Sequence, residues 1–210
     1  MHNETVLRLG VFGGTFNPPH SGHAGAASAC VEQLRLDKLL LIPTRQPPHK
    51  ALPKDSATAQ QRLEMVKLLA EDLPKTEACD LEIRRGGTSY TWQTMQQLTE
   101  EFPRASKWLL MGTDMFFSFD RWKNIDVIAK CCRLAVAARS PVEKEKIMDF
   151  AEKLRREIGI ETDLLRGRII EISSTQLRRE LEAGTAAEAG MLPAKIERYI
   201  RQQGLYQIGG

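Results

Sequence analysis

GGTFNPPHSGH, Gly13–His23, follows directly on the apolar run VLRLGVF, Val6–Phe12, and precedes AGAASACVEQLRL, Ala24–Leu36, a run that can coil into a helix. An apolar run of that length suits a buried strand, so Gly13–His23 reads as a strand-to-helix turn. Gly13 and Gly14 let the backbone approach a ligand that any side chain would hold away. Pro18 and Pro19 stiffen the approach. The helix start beyond them offers unpaired amides and a partial positive charge, which makes this a phosphate position. His20 and His23, three residues apart, share one face of the first turn and point toward the same pocket.

Working outward, further short apolar runs suited to buried strands lie at Leu39–Ile42, Trp108–Met111, Leu134–Ala138 and Ile169–Ile172, with helix-like stretches between them. TAQQRLEMVKLLAEDL puts Leu63, Val66, Leu69 and Leu73 on one helical stripe, and YTWQTMQQLTEEF brings Met95, Leu98 and Phe102 together. SPVEKEKIMDFAEKLRREIG opens on a serine before a first-position proline and closes on a glycine, the marks of a complete helix. Strands alternating with helices imply right-handed crossovers and a mostly parallel sheet covered on both faces. The expected fold is therefore α/β, a Rossmann-like doubly wound parallel sheet with helices on both faces. It is read as a single domain over residues 1–210, with the closing helices after about residue 172. In such sheets ligands bind beyond the carboxyl ends of the strands. TRQPPHKALPKDS (Thr44–Ser56) and Glu180–Pro193 read as surface connections, the first of them a candidate moving segment beside the site.

Thirty basic against twenty-seven acidic residues leave a net charge of +3, too small a field to draw in a nucleic acid or a membrane surface. Any anion must be attracted locally. Of four cysteines, Cys131 and Cys132 are adjacent while Cys30 and Cys79 stand apart, which suggests neither a disulfide framework nor a Cys-x-x-Cys metal site. With no basic region followed by a long apolar run at MHNETVLRLG and no apolar segment of membrane-spanning length, the expected location is the cytoplasm. Monomer and homo-oligomer are both open.

Two histidines three apart can also hold zinc, but such a site needs a third or fourth ligand, and no cysteine or Glu-x-x-His companion stands nearby. No metal ligand is assigned. Nor does the spacing match the G-x-G-x-x-G fingerprint or the P-loop consensus, so the phosphate site is of another kind. A second motif, ISSTQLR, Ile172–Arg178, follows the run RIIEI. Ser173, Ser174 and Thr175 would stand at a helix start, where hydroxyls can cap free amides or bond phosphate, with Arg178 one turn on. Alone this is an ordinary cap with a surface arginine.

Together the two stretches resemble the paired signatures of the nucleotidylyltransferase superfamily: a glycine-phenylalanine turn leading to His-x-Gly-His, and a late Ile-Ser-Ser-Thr-x-x-Arg. Further stretches look like one family within it, the nicotinate-nucleotide adenylyltransferases of bacterial NAD biosynthesis. These are IPTRQPPHK (Ile42–Lys50), SYTWQTM (Ser89–Met95), LLMGTDMF (Leu109–Phe116), RWKNID (Arg121–Asp126) and the tail IERYIRQQGLY.

That resemblance implies transfer of AMP from ATP to nicotinate mononucleotide, giving deamido-NAD and pyrophosphate, with Mg2+ carried on the nucleotide. The attacking phosphate has a second pKa of about 6 and is largely ionised at neutral pH, so no general base is needed. By resemblance His20, His23 and Arg178 carry the catalysis. ATP would lie against Gly13, Gly14, Thr15, Phe16, Gly112, Asp114, Ile172, Ser174 and Thr175, with Asp114 on a ribose hydroxyl. Nicotinate mononucleotide would meet Phe16, Asn17, Lys50, Tyr90, Thr91, Trp122 and Lys123, with the Trp122 ring on the pyridine and amides near Thr91 and Lys123 on the carboxylate. Amide donors favour a carboxylate over a carboxamide, so the acid is the expected substrate. Trp92 and Trp108 are expected in the core. Many members carry aspartate where this chain has Asn17, which leaves Asn17 a turn or phosphate-adjacent role.

Three other readings stay open. Another nucleotidylyltransferase, acting on phosphopantetheine, nicotinamide mononucleotide or a cytidylyl acceptor, shares the two end motifs, though SYTWQTM and RWKNID argue against it. A non-catalytic nucleotide sensor would be expected to have lost His20, His23 or Arg178. A metal-dependent hydrolase would use the two histidines as ligands.

Overall fold

The computed structural model describes residues 7–48, 52–53, 56–137, 141–166, 174–182 and 190–206. Six strands, β1 (Arg8–Gly14), β2 (Lys38–Pro43), β3 (Thr76–Ala78), β4 (Ser106–Met111), β5 (Arg133–Ala137) and β6 (Thr162–Leu165), form one sheet in the order β3-β2-β1-β4-β5-β6. Every neighbouring pair is parallel. The α-helices among the described residues are α1 (Ser21–Gln33), α2 (Ala59–Ala70), α3 (Leu81–Arg85), α4 (Thr91–Glu101), α5 (Thr113–Phe116), α6 (Ile125–Cys131), α7 (Pro141–Ile158), α8 (Ser174–Glu182) and α9 (Ala194–Gln203). No helix among the described residues is long and apolar enough to cross a membrane.

The central strands β1, β2, β4 and β5 are apolar over most of their length because both sheet faces are covered, and alternate residues feed opposite sides. Leu39, Leu41, Trp108, Leu110 and Ala135 face one side, packing with Ala27 and Cys30 of α1, Met65, Val66 and Leu69 of α2, and Ile196 and Ile200 of α9. Leu9, Val11, Leu40, Ile42, Leu109, Met111, Leu134 and Val136 face the other, against Met95 and Leu98 of α4, Ile128 of α6, and Ile147 and Leu154 of α7. A Cβ on Gly10 would stand 2.5 Å from Leu36 Cδ1 and 2.6 Å from Leu39 Cδ1, so any larger residue there would have to displace those side chains.

The chain order reverses between β1 and β4, the position where open α/β sheets form their ligand crevice. The register opens that crevice here. β1 pairs with β4 only as far as Val11↔Leu109, whereas its pairing with β2 continues to Gly14↔Pro43. β4 itself runs on to Met111 beside β5, so the ends of β1 and β4 part at this point.

Three expected strands lie where the apolar runs put them: β2, β4 and β5. The first is displaced, running to Gly14 instead of ending at Phe12. The run Ile169–Ile172 lies outside the described residues, among which β6 is the last strand. The predicted helices are α2, α4 and α7, the last ending at Gly159 with φ +72.

Candidate active site

His20 is the N-cap of α1 and His23 its third residue, and the two form a reciprocal capping box made of imidazoles. The His23 amide donates to His20 Nδ1 at 3.3 Å, and the His20 amide donates to His23 Nδ1 at 3.2 Å. The rings stack with centroids 3.7 Å apart. An Nδ1 that accepts a hydrogen bond carries no proton, so each neutral ring holds its hydrogen on Nε2. Burial keeps the rings neutral. It pushes His20 down to about 4, and it lowers His23 well below the usual histidine value, with a smaller contribution from repulsion by His20. At neutral pH the pair is two neutral N–H donors, neither a base in waiting nor a charged clamp.

The turn ahead of them is held from several directions. Phe16 sits in the left-handed region at φ 49, a conformation costing a non-glycine residue about 1–3 kcal/mol. Its buried ring offsets this, packing edge-on against Phe12 at 5.6 Å and tilted against His23 at 4.8 Å. The Asn17 side chain, 2% exposed, donates to Ser56 Oγ at 2.9 Å and accepts from the Tyr206 hydroxyl at 2.6 Å. A Cβ on Gly13 would meet nothing within 4 Å, so ligand atoms have room against that backbone.

The late motif reaches this turn across the length of the chain. Arg178 donates from one terminal guanidinium nitrogen to the Asn17 carbonyl at 2.7 Å, over 161 residues. Ser174 Oγ donates to the Pro18 carbonyl at 3.2 Å. The other Arg178 terminal nitrogen lies 3.4 Å from Thr175 Oγ1. Gly13–His23 and the α8 motif thus form one assembly, as paired signatures would require.

On the far side of the crevice, Gly112 caps α5 at the end of β4, Thr113 is buried, and Asp114 is exposed in the first turn. The N-cap of α4 is Tyr90, which supplies no side-chain cap, and its first turn carries no acidic residue. The Gln93 and Thr94 amides turn back to the Tyr90 carbonyl at 3.1 and 3.4 Å, and a helix start without a side-chain cap, as at Thr91, suits an anion. The Lys123 ammonium lies 5.0 Å from the centre of the Tyr90 ring, so the α4 start and the loop Trp122–Asn124 adjoin. Trp122 is half-buried, its ring 5.3 Å from that of Phe119 and its indole N–H 3.3 Å from Ser118 Oγ.

Two of the expected contact residues are tied into the turn itself. The Asn17 amide donates to Ser56 Oγ and accepts from the Tyr206 hydroxyl, so its side chain anchors the turn. The Phe16 ring is core, while its backbone lies along the turn. Trp108 is buried as expected, and Trp92 is partly buried on the same side of the sheet as Met95. Lys50 and Ile172 lie outside the described residues. Arg62, fully buried beneath the turn, was missed. So were the mutual histidine caps. Among the described residues no group of three or more His, Cys, Asp or Glu is placed to hold a metal.

The cytidylyltransferase-like family matches residues 11–180. A Shewanella pealeana protein named probable nicotinate-nucleotide adenylyltransferase is 35% identical, over 96% of this chain and 96% of its own length. A Gemmatimonas aurantiaca protein of the same name is 36% identical, over 96% of this chain and 93% of its own. In fold, the chain is similar to Plasmodium falciparum nicotinic acid mononucleotide adenylyltransferase complexed with NaAD, at TM-score 0.77 and 15% identity, covering 95% of this chain and 97% of that one. With both signature turns meeting in one crevice, and relatives at this identity over nearly the whole length, the chain belongs to the nicotinate-nucleotide adenylyltransferase family and is a nucleotidyltransferase.

Proposed function

We infer that the chain transfers AMP from ATP to nicotinate mononucleotide in NAD biosynthesis, forming deamido-NAD and releasing pyrophosphate. The observation that carries this reading is the junction of the two motifs, where Arg178 and Ser174 bond the carbonyls of Asn17 and Pro18. A phosphate oxygen of nicotinate mononucleotide attacks the α-phosphorus of ATP. The bond from that phosphorus to the α–β bridging oxygen breaks, and its electron pair leaves with pyrophosphate.

Each residue has a task suited to its chemistry. The attacking phosphate is already ionised at neutral pH, so histidines held neutral by burial suit the reaction as donors. Their Nε2–H groups serve the phosphate oxygens on which charge develops. Arg178, Ser174 and Thr175 hold the leaving pyrophosphate, and the amides after Gly13 line the nucleotide. Asp114 bonds a ribose hydroxyl. The uncapped amides of α4 and the loop at Lys123 receive the nicotinate carboxylate, with Trp122 against the pyridine ring. ATP would bring Mg2+ on its own phosphates, since the donors at the turn are imidazoles and amides, which suit phosphate oxygen better than a hard cation. There the metal would neutralise phosphate charge.

Incubation with ATP, Mg2+ and either nicotinate or nicotinamide mononucleotide, followed by measurement of pyrophosphate and dinucleotide, tests this. The acid should be used with clearly higher kcat/KM. Folded protein that forms no dinucleotide from either would overturn the reading, and equal efficiencies would remove the assignment of the carboxylate to the α4 amides.

A further inference from the structure

Arg62 lies in the first turns of α2, one residue ahead of the apolar stripe begun by Leu63, and its side chain is wholly excluded from solvent. Its Nε donates to the Ala57 carbonyl at 3.3 Å, one terminal nitrogen to the Thr15 carbonyl at 2.7 Å, and the other to the Arg45 carbonyl at 3.2 Å. These carbonyls belong to three segments: the entry to α2, the turn after β1, and the loop after β2. Among the described ion pairs no carboxylate meets this guanidinium. Burying a charge against carbonyl dipoles alone is costly, and an apolar side chain would fill the volume with less penalty. What only the planar fork can do is fix three carbonyls at once.

The connection does not stop at Arg45. The Arg45 amide donates to Ser89 Oγ at 2.9 Å, and the Ser89 amide donates to the Gln46 carbonyl at 2.8 Å. Ser89 directly precedes Tyr90, the N-cap of α4. A continuous set of hydrogen bonds therefore runs from Thr15, beside the phosphate turn, through Arg62 and Arg45 to the start of the helix that faces the pyridine.

We propose that Arg62 is a positioning residue for the transfer, holding the phosphate turn and the α4 start at the separation that aligns the attacking phosphate with ATP. The proposal rests on the reaction assigned above. It touches neither substrate, so its loss should act on alignment more than on either binding step, and displacement by about 1 Å can cost on the order of 100-fold in rate.

The test compares wild type with Arg62→Met, which keeps volume, and Arg62→Lys, which reaches at most part of the carbonyl set and serves if the methionine variant does not fold. Per mole of folded enzyme, kcat should fall about 30- to 100-fold in Arg62→Met and less in Arg62→Lys, with both KM values within about threefold of wild type. Folded variants with kcat within about threefold of wild type would overturn the proposal, as would a loss confined to KM. Amide hydrogen exchange supplies a readout independent of activity. Exchange should quicken in both Gly13–Asn17 and Ser89–Trp92, whereas a merely structural residue would loosen α2 alone. If wild type itself forms no dinucleotide, the reaction assignment fails, and exchange confined to α2 would then sink the positioning role separately.

Discussion

The two walls of the crevice are built differently. The phosphate wall, Gly13–His23, is bonded to nearly everything around it: Tyr206 and Ser56 hold the Asn17 side chain, Arg178 and Arg62 hold the carbonyls of Asn17 and Thr15, and the histidines cap each other. The pyridine wall is sparer. Tyr90 and Asn124 cap α4 and α6 with no side-chain hydrogen bond, Asn124 sits at φ 53, and Trp122 leans on Phe119 and one 3.3 Å bond to Ser118. The contrast fits the function proposed above. Charge develops on phosphate, where donors are effective only if they need not reorganise, while recognising a flat ring and a carboxylate demands less rigidity.

The widest gap between the walls should appear in turnover. His20→Ala removes one donor and also the cap on the His23 amide, and kcat should fall about 100- to 1,000-fold while the dissociation constant for nicotinate mononucleotide changes little. Single-turnover kinetics beside calorimetric titration would separate the two. A loss confined to nicotinate mononucleotide binding would move His20 to the other wall.

Acid should strain the phosphate wall next. His20 is 5% exposed and stays neutral in the fold down to about 4, whereas in the unfolded chain it takes a proton near 6.5, as an ordinary histidine does. A folded pKa below the unfolded one means that this stability is fully present above about pH 6.5 and is lost as pH falls toward 4, reaching about 3 kcal/mol. Urea unfolding at pH 7 and pH 4.5 should show a larger loss for wild type than for His20→Asn, which keeps a cap without a titrating ring. Parallel losses would mean that His20 is not held neutral.

Legibility in the sequence followed the same division. Strands β1, β2, β4 and β5 were readable because central parallel strands are apolar on both faces, whereas β3 and β6 hid because edge strands of three and four residues, interrupted by Glu77 and Asp163, make no apolar run. The phosphate turn was readable because glycines, prolines and histidines at close spacing are local information. The roles of Asn17 and Arg62 were not, since Asn17 Oδ1 is met from 189 residues away and Arg62 Nη1 donates 47 residues back along the chain. In α2 a helical arginine beside an apolar stripe reads as solvated. Only the arrival of the Thr15 and Arg45 carbonyls over it makes a buried fork of it.

The smallest effect should fall on the spare wall and leave the other untouched. Trp122→Ala removes a ring whose stacking is worth about 0.5–1.5 kcal/mol, so KM for nicotinate mononucleotide should rise about 2- to 10-fold. Because α5 and the phosphate turn do not depend on that ring, KM for ATP should stay unchanged and kcat should remain within about twofold. Trp122→Phe, which keeps an aromatic face, should recover most of the loss. If Trp122 serves only the core, its removal will lower Tm through the lost contact with Phe119 while both KM values hold. KM of the alanine variant separates these outcomes, since a lost stacking face raises it and a lost core contact does not. The phenylalanine variant, which also loses the hydrogen bond to Ser118 Oγ, then brings a raised KM back toward wild type if the aromatic face is what the substrate meets.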